Sequence, residues 1–450
     1  MIIGEIFTAP AERLIAGGRA LCRVRGQAVF ADAVPGDTII GRIREAHRDW
    51  AVAETLEIAE ASADRVSPEC PVFGLCGGCA WQNVAYSAQI REKLGILGSA
   101  LTRIGGFRAF PEPIVRVSGP YEYRNRVQFH RTAEAPGLGF RARRSAEIIP
   151  VKDCPIADPG IRQALRENRL IPPPHKDRFC VYAWKDFFQT EGFIQTKISS
   201  KENDFFKEEN FSKTEDFFKK NDFSKEEKIS KSENFSKEEN FSKSEVFLEG
   251  KKKLEKEEKE AKEVKEAKNL KIRDREFLFD VSVFFQSNGF LLERVIEDLL
   301  EGAESAEGPC ADIYCGVGTF GAFLGDRFSR LDLVEENITA LALARGNVRG
   351  PAVRHWAVSA DRWAGLQPDP MPYGFIVVDP PRAGLSAGIR SRLAVSGPPL
   401  LAYLSCDPAS FARDAAALVK GGYSLEKLFL YDFYPQTPHI ETLGFFKKFF

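Results

Sequence analysis

A chain of 450 residues is too long for one hydrophobic core and points to two to four domains, and a formal net charge of −1 does not mark it as a nucleic-acid binder. Hydrophobic residues make up 44% and charged residues 28%, as in a folded soluble protein, and no apolar run approaches the roughly 20 residues that span a bilayer. The N-terminus "MIIGEIFTAPAERL" lacks a basic segment followed by an apolar one, so no secretory signal and no membrane partner are expected. In the cytoplasm, the expected location, the nine cysteines stay reduced, and clustered ones read as metal ligands or catalysts rather than disulfides.

The first 60 residues alternate short apolar runs with Gly, Asp and Pro turns such as "AVPGD", which predicts a small OB-like β-barrel over 1–60. Barrels of this kind often hold RNA, but a fold alone does not name its ligand. Next, "ECPVFGLCGGCAWQ" places Cys70, Cys76 and Cys79 in a C-x5-C-x2-C spacing, with Cys154 in "VKDCPI" as a candidate fourth ligand. Closely spaced thiols with glycines between them point to a metal, and four thiolates suit zinc or an iron–sulfur cluster equally well. Cys22, Cys180, Cys310 and Cys315 have no such neighbours and read as apolar filler.

The stretch "YRNRVQFHRTAEAPGLGFRARRSAEIIPV" carries Arg124, Arg126, Arg131, Arg141, Arg143 and Arg144 against Glu134 and Glu147. Basic residues interleaved with aromatics suit a face that tracks phosphates, and equally a solvated strand face. Residues 61–190 with 272–285 are expected to form a small α+β central domain, since "RFCVYAWKDFF" and "REFLFDVSVFFQ" are both strand-like. Between them, 191–271 is a low-complexity insert. Its first part repeats Phe-Ser-Lys-Glu-Glu-Asn without a clear period and predicts disorder; its second, "EGKKKLEKEEKEAKEVKEAKNLK", has the i,i+4 Glu/Lys spacing of a solvated helix.

From residue 286 to 450 strand-like and helix-like stretches alternate, the rhythm of a doubly wound parallel sheet, where ligands bind at the carboxyl ends of the strands. Four stretches fall there. In "DIYCGVGTF", Gly316 and Gly318 let backbone approach a ligand, and Glu335 ends the next strand, where a carboxylate can bind both ribose hydroxyls. A third glycine is missing, so a nucleoside without pyrophosphate, such as S-adenosylmethionine, fits better than a dinucleotide. In "VVDPPRAG", Asp379 ends a strand, and Arg382 stands where amino-methylating enzymes carry a base-stacking aromatic. In "LSCDPASFARD", Cys406 sits between a strand and a helix, suited to add to carbon 6 of uracil and make carbon 5 nucleophilic; such a thiol calls for nearby positive charge or the helix N-terminus to favour its thiolate. In "DFYPQTPHIETLG", Glu441 is the candidate base for the carbon-5 proton, with His439 as the rival.

With these motifs in order, together with "FFQSNGF", the chain resembles the RNA 5-methyluridine methyltransferases, specifically the ribosomal RNA branch with an N-terminal TRAM barrel and a [4Fe-4S] cluster. The resemblance covers nearly everything outside Ile194 to Lys271. It implies a Rossmann-like S-adenosylmethionine-dependent methyltransferase domain behind the OB-like barrel and the central domain. By resemblance, Cys70, Cys76, Cys79 and Cys154 are the cluster ligands, and Gln286, Tyr314, Thr319, Glu335 and Asp379 contact S-adenosylmethionine. Cys406 is then the nucleophile and Glu441 the base. The implied activity is methylation of carbon 5 of a uridine in 23S ribosomal RNA by a monomer, with the target base flipped out of its stack. The alternatives are a tRNA T-loop uridine methyltransferase, which this architecture serves as well, and a non-catalytic RNA-binding protein with a redox-sensing iron–sulfur cluster. An amino-group methyltransferase is disfavoured by Arg382 and would leave Cys406 without a use.

Overall fold

The computed structural model describes residues 1–132, 137–173, 175–191, 193–195, 269–350 and 352–448. Five strands close the N-terminal barrel in the order Ile6–Leu14, Ala20–Val24, Gln27–Ala31, Trp50–Glu60, Thr38–Ala46. Strand alternation dictates its filling: Phe7, Ala9 and Ala11 of the first strand point inward between exposed neighbours, and a register irregularity between Ala11 and Arg13 shifts the phase so that Leu14 is buried next. The "AVPGD" turn is pinned by buried Asp37, which accepts the Val34 and Ser62 N–H groups at 2.7 and 2.9 Å and pairs with Arg65.

An antiparallel sheet of six strands follows, ordered Phe193–Gln195, Phe187–Thr190, Arg178–Trp184, Arg126–Arg131, Leu138–Arg141, Ile148–Pro150, with helix Pro159–Arg166 on its apolar face. The strands Phe193–Gln195 and Asn269–Ile272 correct the extent of the 191–271 insert, because its two ends pair into β structure. The expected disorder and solvated helix otherwise lie outside the described residues. The hairpin of Asn269–Ile272 with Arg275–Leu278 packs Leu270, Ile272 and Phe277 into the C-terminal core.

The C-terminal sheet has eight strands in the order Val353–Trp356, Arg330–Val334, Pro309–Ile313, Phe375–Val378, Leu400–Ser405, Glu441–Lys448, Tyr423–Tyr431, Ile114–Arg116. Helices alternate with the parallel strands, giving a Rossmann-like α/β fold. Helix Gly289–Gly302 begins where Asn288 accepts the Leu291 N–H, and it buries Leu291, Leu292, Val295, Ile296 and Leu299 on one stripe. The sheet is not wholly parallel: Glu441–Lys448 runs against both of its neighbours. Residues 432–440 are too short for the crossover that a parallel return needs, so the chain doubles back. That reversal brings the first residue of the last strand, Glu441, to the edge where the parallel strands end.

Helix Tyr86–Arg103 lies between the barrel and helix Pro408–Lys420. Its Leu97 and Leu101 belong to one apolar core with Val29 and Ile39 of the barrel and Phe411 and Ala415 of the C-terminal helix. Among the described residues no helix is long and apolar enough to cross a membrane.

Candidate active site

The carboxyl ends of strands Pro309–Ile313, Arg330–Val334, Phe375–Val378 and Leu400–Ser405 open into a cavity of about 920 Å³. Gln286, Tyr314, Gly316, Thr319, Glu335 and Asp379 line it. So do Cys406, Glu441, Arg382 and His439. The structure thus brings together residues up to 155 positions apart, Gln286 to Glu441, that the sequence motifs single out one by one.

The first half of the site follows from one tight turn. Tyr314 takes a left-handed φ of 64°, uncommon for a side chain of its size, and Gly316 follows at 55°. The turn aims the Gly316 N–H at Glu335, whose Oε2 accepts it at 3.0 Å while Oε1 accepts the Asn337 N–H at 2.8 Å. Both carboxylate oxygens are thereby fixed and keep lone pairs for a diol. Gln286 Oε1 is buried at the cavity wall with no hydrogen-bond partner among the described residues, which marks a place for a ligand donor. Gly318 is corrected: it does not line the cavity. A Cβ there would lie 2.6 Å from Val348 Cγ2, so this glycine is required by helix packing and by its φ of 80°, not by a ligand.

The second half is a group of acids around one thiol. Burial, then the charge of Asp312, pushes Asp379 up to about 7. Glu441 is buried and pushed well above the usual carboxylate range, by burial first and by Asp379 second. Cys406 is half-buried, and burial with the charges of Glu441 and Asp379 pushes its thiol up to about 12; Arg382 opposes this. The expectation of surroundings that favour the thiolate is therefore corrected. Acids outnumber the one cation that acts on Cys406, and the helix N-terminus is already capped by Asp407, which accepts the Ser410 N–H at 2.7 Å. His439 lies 3.5 Å from Arg382 and is pushed down to about 4 by burial and by Arg382, so it is neutral at physiological pH.

A direct consequence concerns pH. Alkylation of Cys406 by iodoacetamide in the free protein, followed by peptide mass mapping, should rise about tenfold per unit between roughly pH 7 and pH 10 without a plateau. Levelling off near an ordinary thiol pKa would contradict the acidic setting described here.

The arginines divide. Arg124 and Arg126 line the cavity; Arg124 also lines a second cavity of about 850 Å³ with Arg141, Arg143 and Arg144. Arg131 lines neither of these cavities: its guanidinium donates to the carbonyls of Pro173 and Lys176, each at 2.8 Å, and so braces a loop. Arg143 reaches Asp32 of the barrel at 2.9 Å. Cys70, Cys76, Cys79 and Cys154 also line the second cavity, with Gly77 and Gly78 forming a wall shared with the first. Among the described residues, however, no three or more His, Cys, Asp or Glu side chains are arranged to hold a metal ion. The metal assignment of these cysteines rests on their facing one cavity. Cys22, Cys180 and Cys310 are buried away from both cavities, whereas Cys315, also buried, lines the active one and so is not mere filler. Tyr434, Thr437 and the exposed Phe284 also line the active cavity; they lie inside "DFYPQTPHIETLG" and "FFQSNGF", but residue type alone does not single them out from their neighbours.

Comparison with known proteins places this geometry. A family model described as tRNA (Uracil-5-)-methyltransferase matches residues 353–449, and one described as Methyltransferase small domain matches 289–393. An uncharacterised RNA methyltransferase of Treponema denticola is 29% identical over 97% of this chain and 98% of its own length. The tRNA (uracil(54)-C(5))-methyltransferase of Pyrococcus abyssi is 29% identical over 92% of this chain and 94% of its own. The crystal structure of the Pyrococcus abyssi tRNA (uracil-54, C5)-methyltransferase in complex with S-adenosyl-L-homocysteine superposes with a TM-score of 0.63, covering 98% of this chain and all of that one, at 22% identity.

Proposed function

We infer that this chain, a member of the RNA uracil-5-methyltransferase family, uses S-adenosylmethionine to methylate carbon 5 of a uridine in 23S ribosomal RNA. The observation that carries this reading is the thiol of Cys406 and the carboxyl of Glu441 facing the same cavity as the Gly316–Glu335 turn. The cofactor's sulfonium supplies the methyl group. Glu335 suits its ribose and the unpartnered Gln286 Oε1 suits its donors. Cys406 gives up its thiol proton to solvent, helped by the charge of Arg382, and the thiolate adds to carbon 6 of the flipped base, which pushes the electron pair toward carbon 5 and O4. Arg382 is the cation that acts on both Cys406 and Glu441, and it is suited to offset the charge that develops on the ring. Once carbon 5 carries the methyl group, Glu441 takes the hydrogen from it and the electrons return to expel the thiolate. Its raised proton affinity makes Glu441 an effective acceptor when ionised.

Arg124 and Arg126 at the cavity and Arg141 and Arg144 beyond it are suited to neighbouring phosphates. Cys70, Cys76, Cys79 and Cys154, which face one cavity, are the residues that would hold a [4Fe-4S] cluster through their thiolates, and its role here would be structural. A cytoplasmic location fits both the RNA and reduced thiols. A second reading, a uridine in the tRNA T-loop, is favoured by the printed name of the Pyrococcus relative.

The experiment is incubation with the methyl donor and RNA in which 5-fluorouridine replaces uridine, with 23S fragments and tRNA in separate arms, followed by denaturing gels. Fluorine cannot leave as the proton does, so the protein–RNA bond should persist. A covalent species on 23S fragments is expected; one on tRNA alone would favour the second reading, and none in either arm would overturn the mechanism.

A further inference from the structure

Residues 432–440 connect strand Tyr423–Tyr431 to Glu441 and carry Tyr434, Thr437 and His439 into the cavity. Much of what fastens this connection comes from the N-terminal part of the chain. Tyr86, Gln89 and Lys93 recur at helical spacing on one face of helix Tyr86–Arg103. Lys93, with no exposed surface, pairs with equally buried Asp432 and donates to the Tyr434 carbonyl at 3.1 Å. The Tyr86 hydroxyl donates to Asp432 Oδ2 at 2.8 Å. Gln89 and Gln436 exchange two hydrogen bonds: Gln89 Nε2 donates to Gln436 Oε1 at 2.8 Å, and the Gln436 N–H donates to Gln89 Oε1 at 2.9 Å. The Ala80 and Trp81 N–H groups both reach the Gln436 carbonyl at 3.0 Å, and the Tyr123 hydroxyl reaches that of Pro435 at 2.8 Å.

Two features make this more than ordinary docking. A buried ion pair gives up hydration that its mutual attraction barely repays, so apolar residues of similar volume would hold a helix to a loop as well. What the pair adds is direction: it permits one placement of Asp432 and of the chain that follows. Gln436 also holds a left-handed φ of 66°, a conformation that a non-glycine residue keeps only when its surroundings impose it.

We propose that Lys93 and Asp432, with Gln89 and Gln436, are positioning residues that hold the 432–440 connection so that Glu441 meets the carbon-5 hydrogen of the covalent adduct. The inference rests on the reading of Glu441 as the base. Removal of the pair should spare Cys406 addition and methyl transfer and slow the elimination that frees the product.

The test uses the full-length Lys93→Met/Asp432→Asn variant and, separately, Tyr86→Phe, which removes a single hydroxyl. With ordinary uridine RNA, the double variant should lose roughly 10²-fold in kcat, the scale of a small misplacement of a reacting group, with KM for RNA and for S-adenosylmethionine nearly unchanged. Methylated RNA should stay covalently bound to it on denaturing gels. Tyr86→Phe should show the same signature more weakly. A purely structural role would lower the melting temperature without trapping the adduct. Wild-type kcat and no trapped RNA in the folded double variant would overturn the proposal; should that variant not fold, absence of trapping in Tyr86→Phe would do so. If Glu441→Gln turns over ordinary uridine RNA without trapping it, the base reading itself fails and the proposal falls with it.

Discussion

Cys406→Ala should reduce uridine methylation by about 10⁴-fold or more, to the limit of detection, while S-adenosylmethionine affinity by calorimetry stays within about twofold of wild type. The split follows from the layout of the cavity. The side proposed for the cofactor is built on the Tyr314–Gly316 turn and Glu335, whereas Cys406 comes from the end of another strand, Leu400–Ser405. Without sulfur to add at carbon 6 no electron density reaches carbon 5, and neither Asp379 nor Glu441 can substitute, since a carboxylate is a far weaker nucleophile than a thiolate. RNA binding should also persist, because Arg124 and Arg126 are untouched. Methylation by the alanine variant near the wild-type rate would rule out covalent catalysis here.

Glu441→Gln should have two effects that run in opposite directions. Turnover should stop after one event, with methylated RNA bound to Cys406, because an amide cannot take the carbon-5 proton. The folded protein should meanwhile become more stable near neutral pH. The folded state holds the Glu441 proton well above the ordinary value of 4.5, so in this range the native chain binds more protons than the unfolded one. Stability contributed at acid pH is therefore lost as pH rises from about 4.5 toward the folded pKa, and a neutral glutamine escapes that loss. Thermal melts should show the variant a few degrees above wild type around pH 8, with the gap closing toward pH 4. A variant that melts lower at both pH values, or that turns over without a bound species, would contradict the assignment.

What was legible in the sequence was mostly local. The apolar stripe of "GFLLERVIEDLLEG", the glycines of "DIYCGVGTF" and the strand-end positions of Asp379 and Cys406 need only a window of neighbours, and all lie where the periodicity puts them. What stayed hidden depends on partners distant in the chain. Gly318 looks like a ligand glycine until Val348 is seen against it. Arg131 looks like its basic neighbours until its carbonyl partners at 173 and 176 appear. Nothing around Lys93 announces Asp432, 339 residues away, and a strand as short as Ile114–Arg116 has no pattern to detect at the sheet edge. The setting of the Cys406 thiol is hidden for the same reason: beside burial, the acids that push it up stand just after Phe375–Val378 and at the start of Glu441–Lys448, not on its own helix.

The reversed last strand gives the segment before it an unusual duty. Tyr431 lies opposite Glu441, and Ser405 opposite Thr442, so alternation along the strand decides which of two adjacent side chains looks into the cavity. Dropping a single residue between 431 and 441 would present Thr442 in place of glutamate, and gaining one would present Ile440, neither of which has a proton-accepting carboxylate. Surface connections usually drift in length as proteins diverge; this one acts as a ruler whose count must be kept.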